Sequence, residues 1–441
     1  MTVIQALKAR QVLDSRGRPT VEVDAIAATG EVGRAIVPSG ASTGRHEALE
    51  LRDADSARYG GLGVARAVEN VRSTIAPAIV GMRLDDQRGI DEALIALDGS
   101  LNKGRLGANA VLGVSLAVAH AAAAVHGEEL YVHLNRLWRD RAAEARGEIP
   151  VDPSLPMPMV NMISGGLHAG KNLDIQDILM IPIGAETYEQ ALEMIVAVYR
   201  AVGTVLAKLG LESVLVGDEG GYGPRLESNE RAFEVVVEAI TACGLVPGRD
   251  AALAVDVAST HFFDESTGTY KISDAGPQPL DAAGMVDLMA GWVERYPIVS
   301  IEDGLAEDDW NGWRLLTERL GSKVQLIGDD LFVTQTARLE RGVRLGAANS
   351  ILIKVNQVGT LSETLDALLM ARQHGYRPVV SARSGETEDA TIADLAVATA
   401  AGQIKIGSVA RSERLAKYNR LLRIEEALGP NAPFAARAAL G

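Results

Sequence analysis

A repeated unit in the second half of the chain constrains the fold more than any other feature. Six short apolar runs end in polar or charged residues: ALAVDVAS, PIVSIEDG, VQLIGDDL, SILIKVNQ, RPVVSARS and GQIKIGS. The closing residues Glu302, Asp329, Lys354, Arg383 and Lys405 follow one another at intervals of 27, 25, 29 and 22 residues. Each interval fits one strand, one helix and two loops. Continuous apolar strands that alternate with helices indicate a parallel sheet covered on both faces.

These strands are predicted to close into a barrel. Chemically active side chains stand at the ends of several runs, and a closed barrel brings the carboxyl ends of many strands to one rim. An open doubly wound sheet is the alternative, because its strands would show the same apolar pattern. The fold class in either case is α/β.

The first part of the chain has a different pattern. Its first forty residues alternate β-prone segments with turn signals at 14–19 and 29–30, which predicts an antiparallel meander. Apolar residues then recur every three or four positions in 63–79 and 108–125, as they do in helices. Residues 1–138 are therefore predicted to form a small α+β domain.

A domain boundary follows. Residues 139–158 (RDRAAEARGEIPVDPSLPMP) are charged, then proline-rich, and show no sustained period. Such a stretch is typical of a linker, so the barrel is predicted to occupy 159–441.

Charge excludes several kinds of partner. Among 441 residues, 43 Lys and Arg stand against 58 Asp and Glu, a formal net charge of −15. A field of that sign repels phosphate backbones and anionic headgroups, so neither nucleic acid nor a membrane is expected as a partner. The most apolar stretch, 108–125, is interrupted by Asn109, Ser115 and His120, which favours a buried helix over a membrane span.

The single cysteine and the N-terminal residues indicate the cellular compartment. Cys243 has no partner for an intramolecular disulfide, which favours a reducing compartment. The first ten residues lack the apolar core and small-residue cleavage site of a secretory signal. We therefore expect a cytoplasmic protein.

Three carboxylates are predicted to converge on the barrel rim. Asp256, Glu302 and Asp329 each stand at the end of an apolar run. Any one of them alone would be explained as a solvated loop acid or a helix cap, but three together require a cation to offset their repulsion. Ligands that are all oxygen select a hard ion such as Mg²⁺ over zinc.

Two lysines and an anion clamp complete the predicted rim. A lysine beside a metal and another cation can have a lowered pKa and act as a base, so one of Lys354 and Lys405 is a candidate base and the other a substrate clamp. Strand-end salt bridges are the alternative for either lysine. Arg383 and Ser384 offer a forked donor and a hydroxyl to a phosphoryl or carboxylate group. With an acid from VGDEGG such as Glu219, this set suits proton abstraction next to a carboxylate, with a metal stabilising the charged intermediate.

Two glycine-rich loops add backbone donors and flexibility at the predicted site: SGASTG at 39–44 and SGGLHAGK at 164–171. The second nearly matches a nucleotide P-loop, but Asn172 stands where Ser or Thr would bind Mg²⁺, so nucleotide binding is not expected. His168 lies in the second loop; a lone histidine is more often a loop or core residue than a catalytic one, and the flanking glycines narrow that difference.

The sequence resembles the enolase family over essentially its full length. The resemblance rests on LDSRGRPTVEV, VPSGASTG, LGANAVLGVSLA, VGDEGG, SIED, EDDW, GDDLFVT, KVNQVGTL, RSGETEDATIADLAVAT, GQIK and ARSERLAKYNRLLRIEE. It implies a small N-terminal capping domain followed by an enolase-type eight-stranded (β/α) barrel. It also implies two Mg²⁺ ions per active site and a homodimer or larger homo-oligomer.

The resemblance further implies residue roles. Metal binding is implied for four side chains: Asp256, Glu302, Asp329 and, for the second ion, Ser42. Catalytic roles are implied for His168, Asp177, Glu219 and Lys354. Substrate-binding positions are implied at Gln176, Ala382, Arg383, Ser384 and Lys405. In these roles Lys354 would take the C2 proton and Glu219 would assist loss of the C3 hydroxyl. Lys405 would bind the carboxylate, and Arg383 with Ser384 would grip the phosphoryl group.

Several positions depart from the family pattern. Ala382 stands where enolases carry a histidine, and Asp177 replaces a glutamate. The others are Gly304 for proline, Leu167 for serine in the SHAG loop, and Ile406 and Ser408 in the KTGA motif. Losing the imidazole opens space near the phosphoryl end, while the shorter acid withdraws a carboxylate by about one methylene, a shift that can cost roughly a hundredfold in rate.

These departures suggest three hypotheses. The one we favour from sequence is a specialised enzyme similar to carboxyphosphonoenolpyruvate synthase of phosphinothricin-type antibiotic biosynthesis, acting on a phosphorylated or phosphonylated carboxylate. The alternative is a housekeeping glycolytic enolase, which converts 2-phosphoglycerate to phosphoenolpyruvate and water. A non-catalytic enolase-like binding protein is the third, and the intact metal and lysine set argues against it.

Overall fold

Three antiparallel strands open the chain. The computed structural model describes residues 2–41, 43–143, 149 and 151–441. The strands β1 (Ile4–Leu13), β2 (Pro19–Ala27) and β3 (Val32–Ile36) form a sheet in the order β1-β2-β3. Asp14 closes the first turn by accepting hydrogen bonds from the backbone nitrogens of residues 16 and 18. The predicted antiparallel meander is confirmed.

Five helices follow this sheet. They are α1 (Ala65–Asn70), α2 (Ala76–Ile79), α3 (Gln87–Asp98), α4 (Ala108–His126) and α5 (Leu130–Ala142), with one π-helical turn between α1 and α2. The helix α4 packs on β2 and β3. Gly33 permits a close approach there, because a Cβ at this position would lie 2.0 Å from the backbone nitrogen of Ala121.

Eight strands form a closed barrel, which confirms the barrel over the open sheet. In order around the barrel they are β4 (Met157–Ser164), β5 (Asp177–Ile181), β6 (Ala252–Asp256), β9 (Ile298–Glu302), β10 (Gln325–Gly328), β11 (Ser350–Ile353), β12 (Arg377–Ser381) and β13 (Gln403–Gly407). A separate ribbon pairs β7 (Phe263–Asp264) with β8 (Thr269–Tyr270). A compact apolar cluster lies between the barrel strands, and its members are Met157, Met159, Leu179, Ile181, Ile183, Ala252, Ala254, Ile327, Leu352 and Val379.

Helices alternate with most of these strands. They are α6 (Tyr188–Lys208), α7 (Asn229–Ala242), α8 (Ala282–Arg295), α9 (Trp310–Leu320), α10 (Thr336–Leu345), α11 (Val355–Val358), α12 (Leu361–Gln373), α13 (Thr391–Ala398) and α14 (Ser412–Leu428). Within the described part of the chain, two helices, α4 and α6, are long and apolar enough to cross a membrane by length and composition alone. In α4, 83% of the most apolar window is buried inside the protein, so the interpretation of 108–125 as a buried helix is confirmed.

The barrel is mixed rather than wholly parallel. β5 runs antiparallel to both β4 and β6, and the other neighbours are parallel. The six strands formed by the apolar runs are parallel to their neighbours among themselves, as predicted, and β5 lies outside those runs. No α-helix separates β4 from β5, so the chain returns directly, and two helices, α6 and α7, separate β5 from β6. This reversal places the first residue of β5, rather than its last, at the rim where the parallel strands end.

The predicted linker is shorter at both ends than 139–158. The helix α5 continues to Ala142, since Trp138 and Ala142 are both buried on one face of it. The strand β4 begins at Met157, which pairs with Gln403 of β13. The charged residues that suggested a linker are therefore partly the exposed face of a helix. Residues 144–148 and 150 of the predicted linker lie outside the described residues.

Candidate active site

The predicted site residues lie at one rim of the barrel. Asp256 and Glu302 are the last residues of β6 and β9, and Asp329 follows β10 directly. Lys354 lies between β11 and α11, while Lys405 lies within β13. Because the strand order places these segments side by side, side chains up to 149 residues apart come into contact.

Two lysines bridge the three carboxylates. The Nζ atom of Lys405 lies 2.8 Å from Asp256 Oδ2 and 2.8 Å from Glu302 Oε2. Lys354 forms an ion pair with Asp329, whose other oxygen accepts a hydrogen bond of 2.8 Å from Gln357 Nε2. All three carboxylates are buried. The structure therefore brings the predicted metal ligands and the two candidate lysines together.

The acidic groups still fit a divalent cation. Glu302 Oε1 is buried and has no hydrogen-bond partner among the described residues. Burial, followed by the charge of Asp256, raises the pKa of Glu302 well above its usual range. An unsatisfied carboxylate oxygen and repulsion between carboxylates are both relieved by a bound hard cation. Asp256, Glu302 and Asp329 are therefore suited to hold Mg²⁺.

A second acidic grouping was not predicted. One oxygen from each of Asp303, Asp329 and Asp330 lies within 4.8 Å of the others. Asp303 accepts hydrogen bonds of 2.9 Å from the backbone nitrogens of Asp329 and Asp330, so it fixes the chain after β10. The adjacent acidic residues in the SIED and GDDL motifs were the sequence signal that could have predicted this grouping. Ser42, the implied ligand of a second ion, lies outside the described residues.

The lysine electrostatics differ from the expectation. The sequence argument required a lowered pKa for the basic lysine. Burial lowers the pKa of Lys354, but the charges of Asp329 and Glu302 act against it, and the pKa is raised. For Lys405, Asp256 and Glu302 outweigh burial in the same way and raise the pKa well above its usual range. The carboxylates thus stabilise the charged form of both lysines, and a cation bound to the same carboxylates would oppose that effect.

His168, Asp177 and Glu219 form a second buried group at the rim. His168 Nδ1 lies 2.9 Å from Asp177 Oδ2, and its Nε2 lies 3.9 Å from Glu219 Oε1. Burial disfavours a charged imidazole, but Asp177 and Glu219 outweigh it and raise the pKa of His168 to about 9. Asn161, which was not predicted, donates a hydrogen bond to the other oxygen of Asp177. Gln176 donates to Asp256 Oδ2 at 3.2 Å and so lies beside the first group.

The anion clamp is occupied by the chain's own groups. Arg383 is 3% exposed, and its guanidinium contacts Glu47 Oε2 and Oε1 at 2.9 and 3.1 Å and Asn356 Oδ1 at 2.9 Å. Ser384 Oγ accepts a hydrogen bond of 2.7 Å from the backbone nitrogen of Ala41. Neither Glu47 nor Asn356 was predicted, although both lie in the quoted SGASTG and KVNQVGTL neighbourhoods. A carboxylate on Arg383 shows that this guanidinium suits an anionic group.

The positions that depart from the family pattern are largely buried. Ala382 is 5% exposed, and its backbone nitrogen donates to the carbonyl of Lys405 at 2.8 Å. At Gly304 a Cβ would lie 2.8 Å from Met289 Sδ and 3.0 Å from Leu316 Cδ2, so these side chains fill the space beside the glycine. Ile406 and Ser408 are buried, whereas Leu167 is 37% exposed.

Family comparison agrees with this architecture. Residues 4–134 match the enolase N-terminal domain, and residues 152–440 match the enolase C-terminal TIM barrel domain. Together the two matches cover nearly the whole chain, on either side of the boundary between α5 and β4. Enolases are typically hydro-lyases that bind Mg²⁺, and the buried acidic groups at the rim suit that ion. On the strength of both matches, the chain belongs to the enolase family.

Proposed function

We propose that this protein catalyses the Mg²⁺-dependent dehydration of 2-phosphoglycerate to phosphoenolpyruvate. One observation carries the proposal: the metal-binding carboxylates, the two lysines and the Arg383 clamp converge on one rim of an enolase barrel. The family matches support this reaction over the specialised enzyme favoured from sequence. The reaction also needs each feature found there, namely a cation site, a base and an anion clamp.

Each side chain has a defined task in the proposed reaction. Asp256, Glu302 and Asp329 would hold the first Mg²⁺, and Ser42 would contribute to a second. The bound ions would supply positive charge to the substrate carboxylate as electrons accumulate on it. Lys354 Nζ, in its neutral form, would accept the proton from C2, and the electron pair of the broken C–H bond would move onto the substrate carboxylate. That pair would then form the C2–C3 double bond as the C3–O bond breaks, and the hydroxyl would leave as water with a proton from the buried group of His168, Asp177 and Glu219.

The remaining residues bind and orient the substrate. Arg383 and Ser384 hold the phosphoryl group once it displaces Glu47 from the guanidinium. Lys405 holds the carboxylate. His168 and Asp177 form the wall next to Glu219, and the pair keeps the imidazole ring fixed. We also propose a homodimer or larger homo-oligomer, to be measured by light scattering.

The proposal is tested by following the absorbance of phosphoenolpyruvate, the enol product, as it forms. The protein is incubated with 2-phosphoglycerate at saturating Mg²⁺, beside an ordinary enolase at equal concentration. We expect phosphoenolpyruvate to form, chelator to stop the reaction, and Lys354→Ala to lose at least about a hundredfold in kcat, the scale of a lost general base. Lys323→Ala is the matched control, since Lys323 is an exposed lysine just before β10, at the opposite end of the barrel. No conversion by the wild-type protein would refute the proposal.

A second candidate rests on Ala382 and Asp177. An alanine where the family carries histidine leaves room beside Arg383, and the shorter Asp177 changes the group next to Glu219. Both changes suit a larger phosphoryl-end group, such as the phosphonoformate ester of a carboxyphosphonoenolpyruvate synthase. If this candidate is correct, the wild type is slow with 2-phosphoglycerate, and the double variant Ala382→His, Asp177→Glu gains hydro-lyase activity. An unchanged rate in the double variant would exclude it.

A further inference from the structure

A buried arginine lies directly behind the candidate active site. Arg414, in the first turn of α14, is fully buried. Its guanidinium donates hydrogen bonds to four backbone carbonyl oxygens, at 2.6 Å to Arg383, 2.7 Å to Ser384, 3.0 Å to Ile406 and 3.4 Å to Asp218. Its Nε atom has no hydrogen-bond partner among the described residues and lies 3.7 Å from Glu413 Oε1. The proposed function assigns no task to Arg414.

The four carbonyls belong to three separate segments of the rim. The first segment carries the clamp residues Arg383 and Ser384. The second carries Lys405, immediately before Ile406, and the third carries Glu219, immediately after Asp218. These segments also contact one another, because the nitrogen of Ser408 donates to the Glu219 carbonyl at 2.8 Å. One guanidinium therefore joins the segments that hold the phosphoryl clamp, the carboxylate clamp and the acid.

Only an arginine has the donors for this arrangement. A guanidinium presents five N–H groups in a rigid plane, whereas a lysine presents three on a flexible stem. Burying a charge is costly, and the guanidinium makes its shortest contacts with carbonyl oxygens while the Glu413 carboxylate lies at 3.7 Å, so stability alone does not explain this arrangement. Space for it comes from Gly407, which has a φ of +105°, and where a Cβ would lie 3.0 Å from Arg414 Cδ.

The charge of Arg414 also acts on the acid beside it. Burial raises the pKa of Glu219, but His168, and after it Arg414, oppose burial and leave the pKa lowered. The guanidinium therefore favours the ionised carboxylate through space while it fixes the Glu219 segment through the Asp218 carbonyl.

We propose that Arg414 is a positioning residue of the active site, which acts through four backbone carbonyls to hold the Arg383, Lys405 and Glu219 segments in one relative arrangement. The inference rests on the proposed function and extends it to a residue that does not touch the substrate. Loss of the guanidinium releases all three segments at once. Substrate binding and the chemical step are then both weakened.

Steady-state kinetics of two variants test the proposal. A misplacement of about 1 Å at a reacting group can cost about a hundredfold, so we expect Arg414→Met to lower kcat/KM by about that factor, with a higher KM and a lower kcat. Arg414→Lys should recover about tenfold of this loss, because an ammonium reaches at most three of the four carbonyls. Wild-type kcat and KM in Arg414→Met would overturn the proposal. If Arg414→Met does not fold, Arg414→Lys provides the test, and a wild-type kcat/KM in Arg414→Lys would then overturn the proposal.

The matched control is Arg420→Met. Arg420 lies in the same helix, and its Nε atom lies 2.9 Å from Asp394 Oδ2, away from the three segments. This control loses a largely buried ion pair and stability, but should keep wild-type kcat and KM. If Arg420→Met lowered kcat/KM as much as Arg414→Met does, the proposal would be overturned, because a general loss of stability would then explain the effect of both variants.

Hydrogen exchange gives a readout that does not depend on activity. We expect Arg414→Met to raise amide exchange in residues 216–220, 382–386 and 404–408 together, and Arg420→Met to leave these segments unchanged. Unchanged exchange in the three segments would overturn the positioning role. If exchange rises as expected but the wild-type protein does not dehydrate 2-phosphoglycerate, the proposed function fails and the link between the segments stands.

Discussion

Replacing Lys405 with methionine tests how the carboxylate cluster is stabilised. Lys405 is the shared cation of Asp256 and Glu302, at 2.8 Å from each, and all three side chains are buried. Removing one partner of a buried ion pair typically costs about 3–5 kcal/mol, because the remaining charge stays buried without compensation. Glu302 limits the loss by taking up a proton, since its pKa is already raised by burial and by Asp256. We therefore expect Lys405→Met to lose about 3 kcal/mol of unfolding free energy in a chelator, the low end of that range.

Magnesium should reverse most of this loss. A cation bound by Asp256 and Glu302 replaces the missing charge, and a ligand at 100 times its Kd adds about 2.7 kcal/mol of stability. In the wild type the ion must displace Lys405, so Mg²⁺ should stabilise the variant more than the wild type and bind it more tightly. Urea unfolding followed by tryptophan fluorescence, with chelator and with Mg²⁺, measures the first effect, and calorimetry measures the second.

The matched control is Lys417→Met. Lys417 is also fully buried and pairs with Glu386 at 2.7 Å, in a position where no metal site is proposed. Its loss should cost a similar free energy that Mg²⁺ does not restore. The reasoning is refuted if Lys405→Met is as stable as the wild type in chelator, or if Mg²⁺ stabilises both variants equally.

Further predictions concern the histidine pair and a glycine at the domain contact. The pKa of His168 is raised to about 9, so its pair with Asp177 should stabilise the fold fully below about pH 6.5 and lose this contribution as the pH rises through 9. Melting curves of the wild type and Asp177→Asn should converge between pH 6 and 10, and a constant difference would contradict this. In Gly385→Ala the new Cβ would lie 2.3 Å from Arg16 Nη2, so we expect a loss of about 1–3 kcal/mol in thermal unfolding. Gly291→Ala, with a nearest atom at 3.7 Å in the helix α8, should instead keep or raise stability, and equal losses in both variants would contradict the packing argument.

Much of the barrel could be predicted from the local pattern of apolar and polar residues. Apolar runs that end at Glu302, Asp329 and Lys354 predicted strands with functional residues at their ends. This was possible because the length and burial of a strand depend on the hydropathy of neighbouring residues in the sequence. The direction of β5 did not follow, since the pattern of a buried strand is the same in both directions. The end of α5 was also missed, because the charged outer face of a helix resembles a linker when its buried face carries few residues.

The sequence by itself determined which chemical groups reach the rim, namely the carboxylates, the lysines and the Arg383 clamp. Only the tertiary structure decided their partners. Glu47 pairs with Arg383 although 336 positions separate them in the sequence, and Lys405 pairs with Asp256 although 149 positions separate them. The tertiary structure also decided the sign of the Lys354 pKa shift, because burial and the nearby carboxylates of Asp329 and Glu302 oppose each other and their balance depends on distance. Side-chain identity is a local property, whereas electrostatic partners and backbone anchors such as Arg414 arise only when distant segments pack together.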